Sequence, residues 1–365
     1  MPGETRIPLE IQAAVAQGDG TFTIDTASLD EPHEGEVLIA IRASGVCHTD
    51  WDSLSWGRRV ILGHEGAGEV LRTGPRVTAF QPGDRVMLNW AIPCGRCFQC
   101  ERGKENICED RGTVPDDRFH SASGPINASF SLGTMATHAI VPQAAVMHLP
   151  RQVPFEVAAI MGCAVMTGFG SAVNAAQVQP GSSVVVLGCG GVGLSAILGA
   201  LYCKAGSVLA IDINPTRLEL AKQFGATETL LADKDDKGLL QAANEVKRRN
   251  GGRGADYAFE CTAIPELGSA PLAMIRSAGS AVGVSGIEKV VPVDMELFEW
   301  DKVYINPLYG ACRPQRDFPL LIDLYLTGQL PLDAMVTRSY PLMNLEQAFK
   351  DMHAGINAKG VLVFE

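Results

Sequence analysis

The chain has 365 residues, enough for two domains with cores of their own. Hydrophobic residues make up 46% and charged residues 19%, which excludes an intrinsically disordered polymer. A net charge of −11 without any stripe of Lys and Arg excludes a binder of phosphate backbones, so no nucleic-acid partner is expected.

The opening residues MPGETRIPLEIQ hold no basic segment followed by an apolar one, and the expected location is the cytoplasm. In EVLIAIRASG, Val37, Ile39 and Ile41 alternate as on a half-buried strand. Gly and Pro punctuate the chain up to about Pro150, which reads as mostly β. From Ser183 the rhythm changes. SVVVLG is a short buried strand, and GVGLSAILGALYCKAG sets Leu194, Ile197, Leu198 and Leu201 at helical spacing with Gly206 as its stop. SVLAID is the next strand. NPTRLELAKQFGA is a helix with Asn214 as cap, Pro215 at its first position and Gly225 at its end. ADYAFECT and SAVGVSG add strands, and this alternation predicts a parallel sheet wrapped by helices. Two amphipathic helices, DFPLLIDLYLTGQL and NLEQAFKDMHAG (capped by Asn344), precede a closing strand GVLVFE.

Val157 to Cys203 carries no charged residue, and VVVLGCGGVGLSAILGALYC is as long as a membrane span. Pro180-Gly181 and five glycines interrupt the run, so a buried strand and helix are expected and no membrane.

Gly188-Cys189-Gly190-Gly191-Val192-Gly193 fits G-x-G-x-x-G between a strand and a helix, the setting of a dinucleotide site. The glycines let backbone approach a pyrophosphate, and the helix N-terminus offers free N–H groups to it. Asp212 ends the second strand nineteen residues after Gly193. A carboxylate there accepts the ribose hydroxyls of NAD and repels the added phosphate of NADP, and Arg217, one turn on, is in reach of the same ribose.

Cys94, Cys97, Cys100 and Cys108 crowd one polar loop. Disulfides conflict with a reducing compartment, so the tight cluster points to metal or redox chemistry. A second set is dispersed: Cys47, His48, Thr49 and Asp50 in GVCHTD, His64 and Glu65 in GHEGAGEV, and Cys163 in MGCAVMTGFG. Two thiolates and an imidazole would bind zinc and leave a position open. Each residue alone has a plainer reading as a core side chain, and Cys189, Cys203, Cys261 and Cys312 are read as packing residues.

GHEGAGEVLRTGPRV resembles the zinc signature of the zinc-dependent medium-chain alcohol dehydrogenases. The resemblance extends through GVCHTD, PGDRV, the four-cysteine loop, GCGGVG and LIDLYLTGQLPLDAMVTRSYPL, nearly end to end. It implies an α/β two-domain fold: a mostly-β GroES-like catalytic domain over residues 1–164 and 309–365, and a doubly wound Rossmann NAD-binding domain over 165–308. It implies NAD and two zinc ions per chain, a catalytic one on Cys47, His64 and Cys163, with Glu65 able to approach it, and a structural one on Cys94, Cys97, Cys100 and Cys108. In it Asp50 fixes the tautomer of His64, Thr49 holds the substrate oxygen, His48 and Lys359 contact the coenzyme pyrophosphate, and Trp90 lines the substrate pocket. A homodimer or homotetramer is implied, with GSAVGVSG to VYINPLYG as the joining surface.

Two departures stand out. Asp52 occupies the place of the histidine that ends the proton relay in well-known members, so the relay ends in Asp52, in His48 or in water. The segment between Cys47 and His64 is short compared with the liver-type enzymes, which suggests an open entrance for bulky or aromatic alcohols. The expected reaction is hydride transfer between a primary or secondary alcohol and NAD. Its alternatives are oxidation of an S-hydroxymethyl thiol adduct by a thiol-dependent formaldehyde dehydrogenase, and a nicotinoprotein that keeps its NAD.

Overall fold

The computed structural model describes residues 9–111, 118–121 and 124–365. The chain divides into two compact units, Met1–Cys163 with Pro314–Thr327 and Leu332–Glu365, and Ala164–Arg313 with Gly328–Pro331.

The first unit is built on two sheets. One runs in the order Gly124–Pro125, Phe119–Ser121, Phe22–Leu29, Leu9–Ala16, Val60–Ile61, Asn127–Ala128. The other has Glu36–Gly45 at its centre, paired antiparallel with Gly66–Thr73, with His138–Pro142 and with the C-terminal strand Lys359–Val363. Glu36–Gly45 is not half-buried as its alternation predicts: every residue but Arg42 is buried. Three strands pair with it and both of its faces are covered, so apolar residues fill both sets of positions. One apolar core of this unit joins strand residues such as Ala14 and Leu362 to Leu345, Ala348 and Phe349 of the helix Leu345–His353. Asn344 precedes that helix with φ −102° and ψ 18°, and its side chain makes no cap hydrogen bond. A 3₁₀ turn, Leu342–Asn344, leads into the helix instead and takes up its first amide groups.

The second unit is a six-stranded parallel sheet in the order Glu228–Leu231, Ser207–Asp212, Ser183–Leu187, Ala255–Glu260, Ile275–Gly283, Val303–Ile305. In chain order this is 3-2-1-4-5-6, the doubly wound arrangement whose direction reverses beside the first strand. The helix Gly191–Tyr202 follows that strand and ends at Cys203, before Gly206. Pro215–Gln223 starts as predicted, with the Asn214 side chain accepting the Thr216 N–H at 2.9 Å.

The uncharged stretch is organised differently from its reading as one interrupted run. Its first part belongs to a 21-residue helical segment, Phe155–Ala175, long and apolar enough to cross a membrane by length and composition, and 83% of its most apolar window is buried. A buried apolar helix is what a protein core requires as much as a bilayer does. Its second part, which raised the membrane question, is the strand Ser183–Leu187 and the helix after the nucleotide turn.

Candidate metal centres and nucleotide turn

Cys47 ends the loop after the central strand and precedes the short helix His48–Asp52. His64 and Glu65 lie just before the strand Gly66–Thr73, and Cys163 sits where the long helical segment widens into π geometry at Met161–Val165. A π turn is a common device for presenting a functional side chain from a helix. Donor atoms of Cys47, His64, Glu65 and Cys163 all lie within 4.8 Å of one another.

Asp50 organises this set. Its Oδ1 lies 3.0 Å from His64 Nδ1 and accepts the Gly63 N–H at 3.2 Å, while Oδ2 accepts the Cys47 N–H at 3.0 Å. One buried carboxylate therefore fixes two donor-bearing segments and leaves His64 Nε2 for the Cys47 side of the set. Thr49 Oγ1 lies 3.7 Å from Cys47 Sγ. Burial opposes a charge on His64, yet Asp50 raises its pKa well above the ordinary value. The hydrogen bond with Cys163 holds the Cys47 thiol well below its ordinary pKa and pushes that of Cys163 up.

Glu65 is wholly buried, and burial raises its pKa to about 7 against the pull of Lys359. Its Oε1 accepts from Lys359 Nζ at 2.7 Å, whereas Oε2 has no hydrogen-bond partner. A Cβ on Gly45 would lie 1.9 Å from that Oε2, so only glycine leaves room for the carboxylate there. An unpartnered buried carboxylate oxygen beside two thiols and an imidazole is the donor chemistry that a zinc ion satisfies.

Lys359, which the resemblance places at the coenzyme pyrophosphate, is tied to the dispersed donor set. It is only 6% exposed, and Nζ is held by Glu65 and by the Val46 carbonyl at 2.7 Å. The charge of the buried carboxylate draws it inward. His48 is exposed, and its ring stands edge-on to His353 at 5.5 Å between centroids.

Aromatic rings gather on the same side as His64. Phe130 lies 5.0 Å from the His64 ring, 5.1 Å from Trp90 and 6.1 Å from Trp56. Phe130 and Ser131 adopt φ of 51° and 58°, left-handed values that non-glycine residues rarely take. Sequence reading singled out Trp90 alone. Trp56 lies in the short segment between Cys47 and His64, but the turn that delivers Phe130 has no local signature.

The four-cysteine loop forms a second set, with the Sγ atoms of Cys94, Cys97, Cys100 and Cys108 within 4.8 Å of one another. None of the ten cysteines, all among the described residues, is in a disulfide. Cys94 and Arg96 aim backbone N–H groups at Cys108 Sγ and Cys94 Sγ at 3.3 and 3.5 Å. Backbone N–H groups of Cys100 and Glu109 lower the Cys97 pKa to about 6, and burial pushes Cys100 up to about 12. Four sulfurs without an oxygen donor among them suit a closed tetrahedral zinc.

In the second unit the nucleotide turn follows Leu187. A Cβ on Gly193 would lie 1.8 Å from the Gly188 carbonyl, so the turn closes only with glycine there. Around Gly190 the space is open, and Val192 opens the first turn of the helix. Asp212 is buried beside this turn: Oδ2 accepts the Cys189 N–H at 2.8 Å and Oδ1 the Asn214 N–H at 2.9 Å. A carboxylate has about four acceptor positions, so two remain for hydroxyl groups. Arg217 approaches closely enough to lower the Cys189 thiol's pKa against the rise that burial causes.

The family model for the alcohol dehydrogenase GroES-like domain matches residues 33–151, and that for zinc-binding dehydrogenase matches 191–326. An S-(hydroxymethyl)glutathione dehydrogenase of Photobacterium damsela subsp. piscicida is 34% identical, over 97% of this chain and 100% of its own. A putative alcohol dehydrogenase D of Mycobacterium tuberculosis is 35% identical, over 96% and 98%. The crystal structure of benzyl alcohol dehydrogenase from Acinetobacter calcoaceticus superposes with a TM-score of 0.86 at 30% identity, covering 98% and 100%.

The chain belongs to the zinc-dependent medium-chain alcohol dehydrogenases. It is an oxidoreductase of alcohols with zinc and NAD as cofactors, and its two units carry the GroES-like and Rossmann folds of that family. For an alcohol dehydrogenase the separation of donor sets is informative. The all-cysteine set has no place for a substrate, whereas the mixed set stands beside Thr49 and the rings of Phe130 and Trp90.

Proposed function

We propose that this alcohol dehydrogenase oxidises bulky or aromatic primary alcohols with NAD, using the Cys47, His64 and Cys163 donors to hold the catalytic zinc. The observation that carries this reading is the buried donor set with Thr49 Oγ1 3.7 Å from Cys47 Sγ. Bound there, zinc supplies a Lewis acid that eases deprotonation of an alcohol, and NAD supplies the hydride acceptor. Thr49 hydrogen-bonds the alcohol oxygen and takes its proton outward. Asp50 keeps His64 in the tautomer that leaves Nε2 for metal. Glu65, balanced by Lys359, is the reserve donor when no substrate is present. Cys94, Cys97, Cys100 and Cys108 hold the structural zinc.

The first unit is the catalytic domain and the second the coenzyme domain. Gly188, Gly190, Gly191, Val192 and Gly193 cradle the pyrophosphate, while Asp212 and Arg217 hold the ribose. His48, exposed next to Cys47, and Lys359 meet the coenzyme phosphates. Phe130, Trp56 and Trp90 exclude water and favour a flat apolar substrate, in line with the benzyl alcohol dehydrogenase relative.

A second reading is favoured by the S-(hydroxymethyl)glutathione dehydrogenase relatives at 32–34% identity. It takes the thiol adduct of formaldehyde through the same machinery. Absorbance of NADH with NAD and a panel from ethanol to benzyl and terpene alcohols, each with and without a zinc chelator, tests the first. Chelator-sensitive turnover with higher kcat/KM for benzyl alcohol than for ethanol is expected. Silence on alcohols, with turnover of formaldehyde only when a small thiol is added, overturns it in favour of the second. Nicotinamide in the freshly purified protein would identify a nicotinoprotein.

We place the enzyme in the cytoplasm, where thiolates stay reduced, as a dimer or tetramer. The edge strand Val303–Ile305 and the exposed Val290, Met295 and Trp300 support an assembly surface on the second unit. Light scattering of the purified enzyme tests it.

A further inference from the structure

Glu260 is a wholly buried charge that the reaction outlined above does not use. It ends the strand Ala255–Glu260 and stands in register beside Leu187, the residue before the nucleotide turn. These two strands flank the point where the strand order reverses, and ligands of such sheets bind in the crevice beyond the carboxyl ends there. Glu260 Oε1 collects three donors from the segment that follows: Thr262 N–H at 2.6 Å, Thr262 Oγ1–H at 2.5 Å and Ala263 N–H at 3.1 Å. Ala263 is held at φ +60°, a left-handed conformation that an alanine adopts only when its surroundings impose it. The Ser285 side chain also binds the carboxyl.

The segment so folded lies against the nucleotide turn. A Cβ on Gly188 would come within 2.9 Å of Thr262 Cγ2 and 3.0 Å of the Cys261 carbonyl. Cys261 N–H in turn donates to the Leu187 carbonyl at 2.8 Å. The turn then delivers Ile264, a large apolar side chain 44% exposed, next to the cradle.

We infer that Glu260 is a coenzyme-positioning residue: its carboxylate folds the Thr262–Ile264 turn against Gly188 and so pre-forms one wall of the NAD cradle. The inference rests on the reading of the second unit as the NAD site. Desolvating a carboxylate is costly, and burial does raise the pKa of Glu260 against these hydrogen bonds. A neutral, apolar residue would pack the strand end at lower cost, so the charge is retained for what it organises. Ordering the turn in advance removes an entropic cost from coenzyme binding.

The test is Glu260→Gln and Thr262→Val in the full-length zinc-loaded enzyme, read by calorimetric NAD binding, by steady-state kinetics and by melting without coenzyme. Replacing charge-assisted hydrogen bonds by neutral ones should raise the NAD Kd about tenfold in Glu260→Gln, and loss of one donor about threefold in Thr262→Val. The loss should fall on KM for NAD and not on kcat at saturation. Should Glu260→Gln fold poorly, Thr262→Val carries the same split. The inference is overturned if both variants bind NAD as the wild type does, or if only melting temperature moves, since that is a purely structural role. Failure of the wild type itself to bind NAD would instead overturn the coenzyme reading of the second unit, and this inference with it.

Discussion

The two cysteine-bearing centres of the first unit are built on opposite plans. Cys94 to Cys108 spans fifteen residues, and its donors converge through backbone N–H groups of the same loop. Cys47, His64 and Cys163 come from a strand end, a loop and a helix, and a buried carboxylate, Asp50, is needed to align two of them. The local centre can do little but hold itself together. The dispersed one leaves an unpartnered oxygen, a nearby hydroxyl and aromatic walls, which are the parts of a reaction site. Chemistry follows from the centre that the fold must assemble.

The largest effect that would sharpen this contrast is Cys163→Ala. Loss of the Lewis acid should lower kcat/KM by about a thousandfold or more, with zinc falling from two to one per chain by atomic absorption and little change in melting. Retained activity would break the assignment. Cys100→Ser should do the reverse. It should cost about 3–5 kcal/mol, seen as a large fall in melting temperature, while the remaining folded enzyme turns over near the normal rate. Asp50→Asn should weaken metal at the dispersed centre about 10- to 100-fold in chelator competition, and leave the four-cysteine zinc untouched.

The smallest effect lies outside both centres and serves as their control. Glu245 is held by Arg248 and Arg249, whose hydrogen bonds lower its pKa from 4.5 to about 2. A depressed carboxylate adds stability above its unfolded value and loses it as the pH falls through the folded one. Melting should therefore decline in part through this group between pH 4.5 and about 2, and Glu245→Gln should flatten that portion. Zinc content at pH 7 should not change.

What was legible in the sequence tracks the same distinction. The nucleotide turn, the start of the next helix at Asn214 and Pro215 and the four-cysteine loop could be read because their causes are local: glycine sterics, capping and spacing. Burial of both faces of Glu36–Gly45 was not legible, because an alternating pattern does not reveal how many strands will pair with it. The Glu65 partner of Lys359 was not legible for a related reason. A lysine near a chain end looks solvent-bound until the fold brings Glu65, 294 residues away, against it. The π turn at Cys163 and the left-handed Phe130 are likewise products of packing and leave no local trace.

The ion pair between Lys359 and Glu65 also sets a timetable. At about 5–20 residues per second, the four-cysteine loop has all its ligands roughly 1–3 s after its first cysteine is made. The charge that balances Glu65 follows Glu65 by 294 residues, or about 15–60 s, in the strand Lys359–Val363. The four-cysteine set is thus complete early in synthesis, whereas a chain truncated before Lys359–Val363 would leave the buried Glu65 carboxylate without its balancing ammonium.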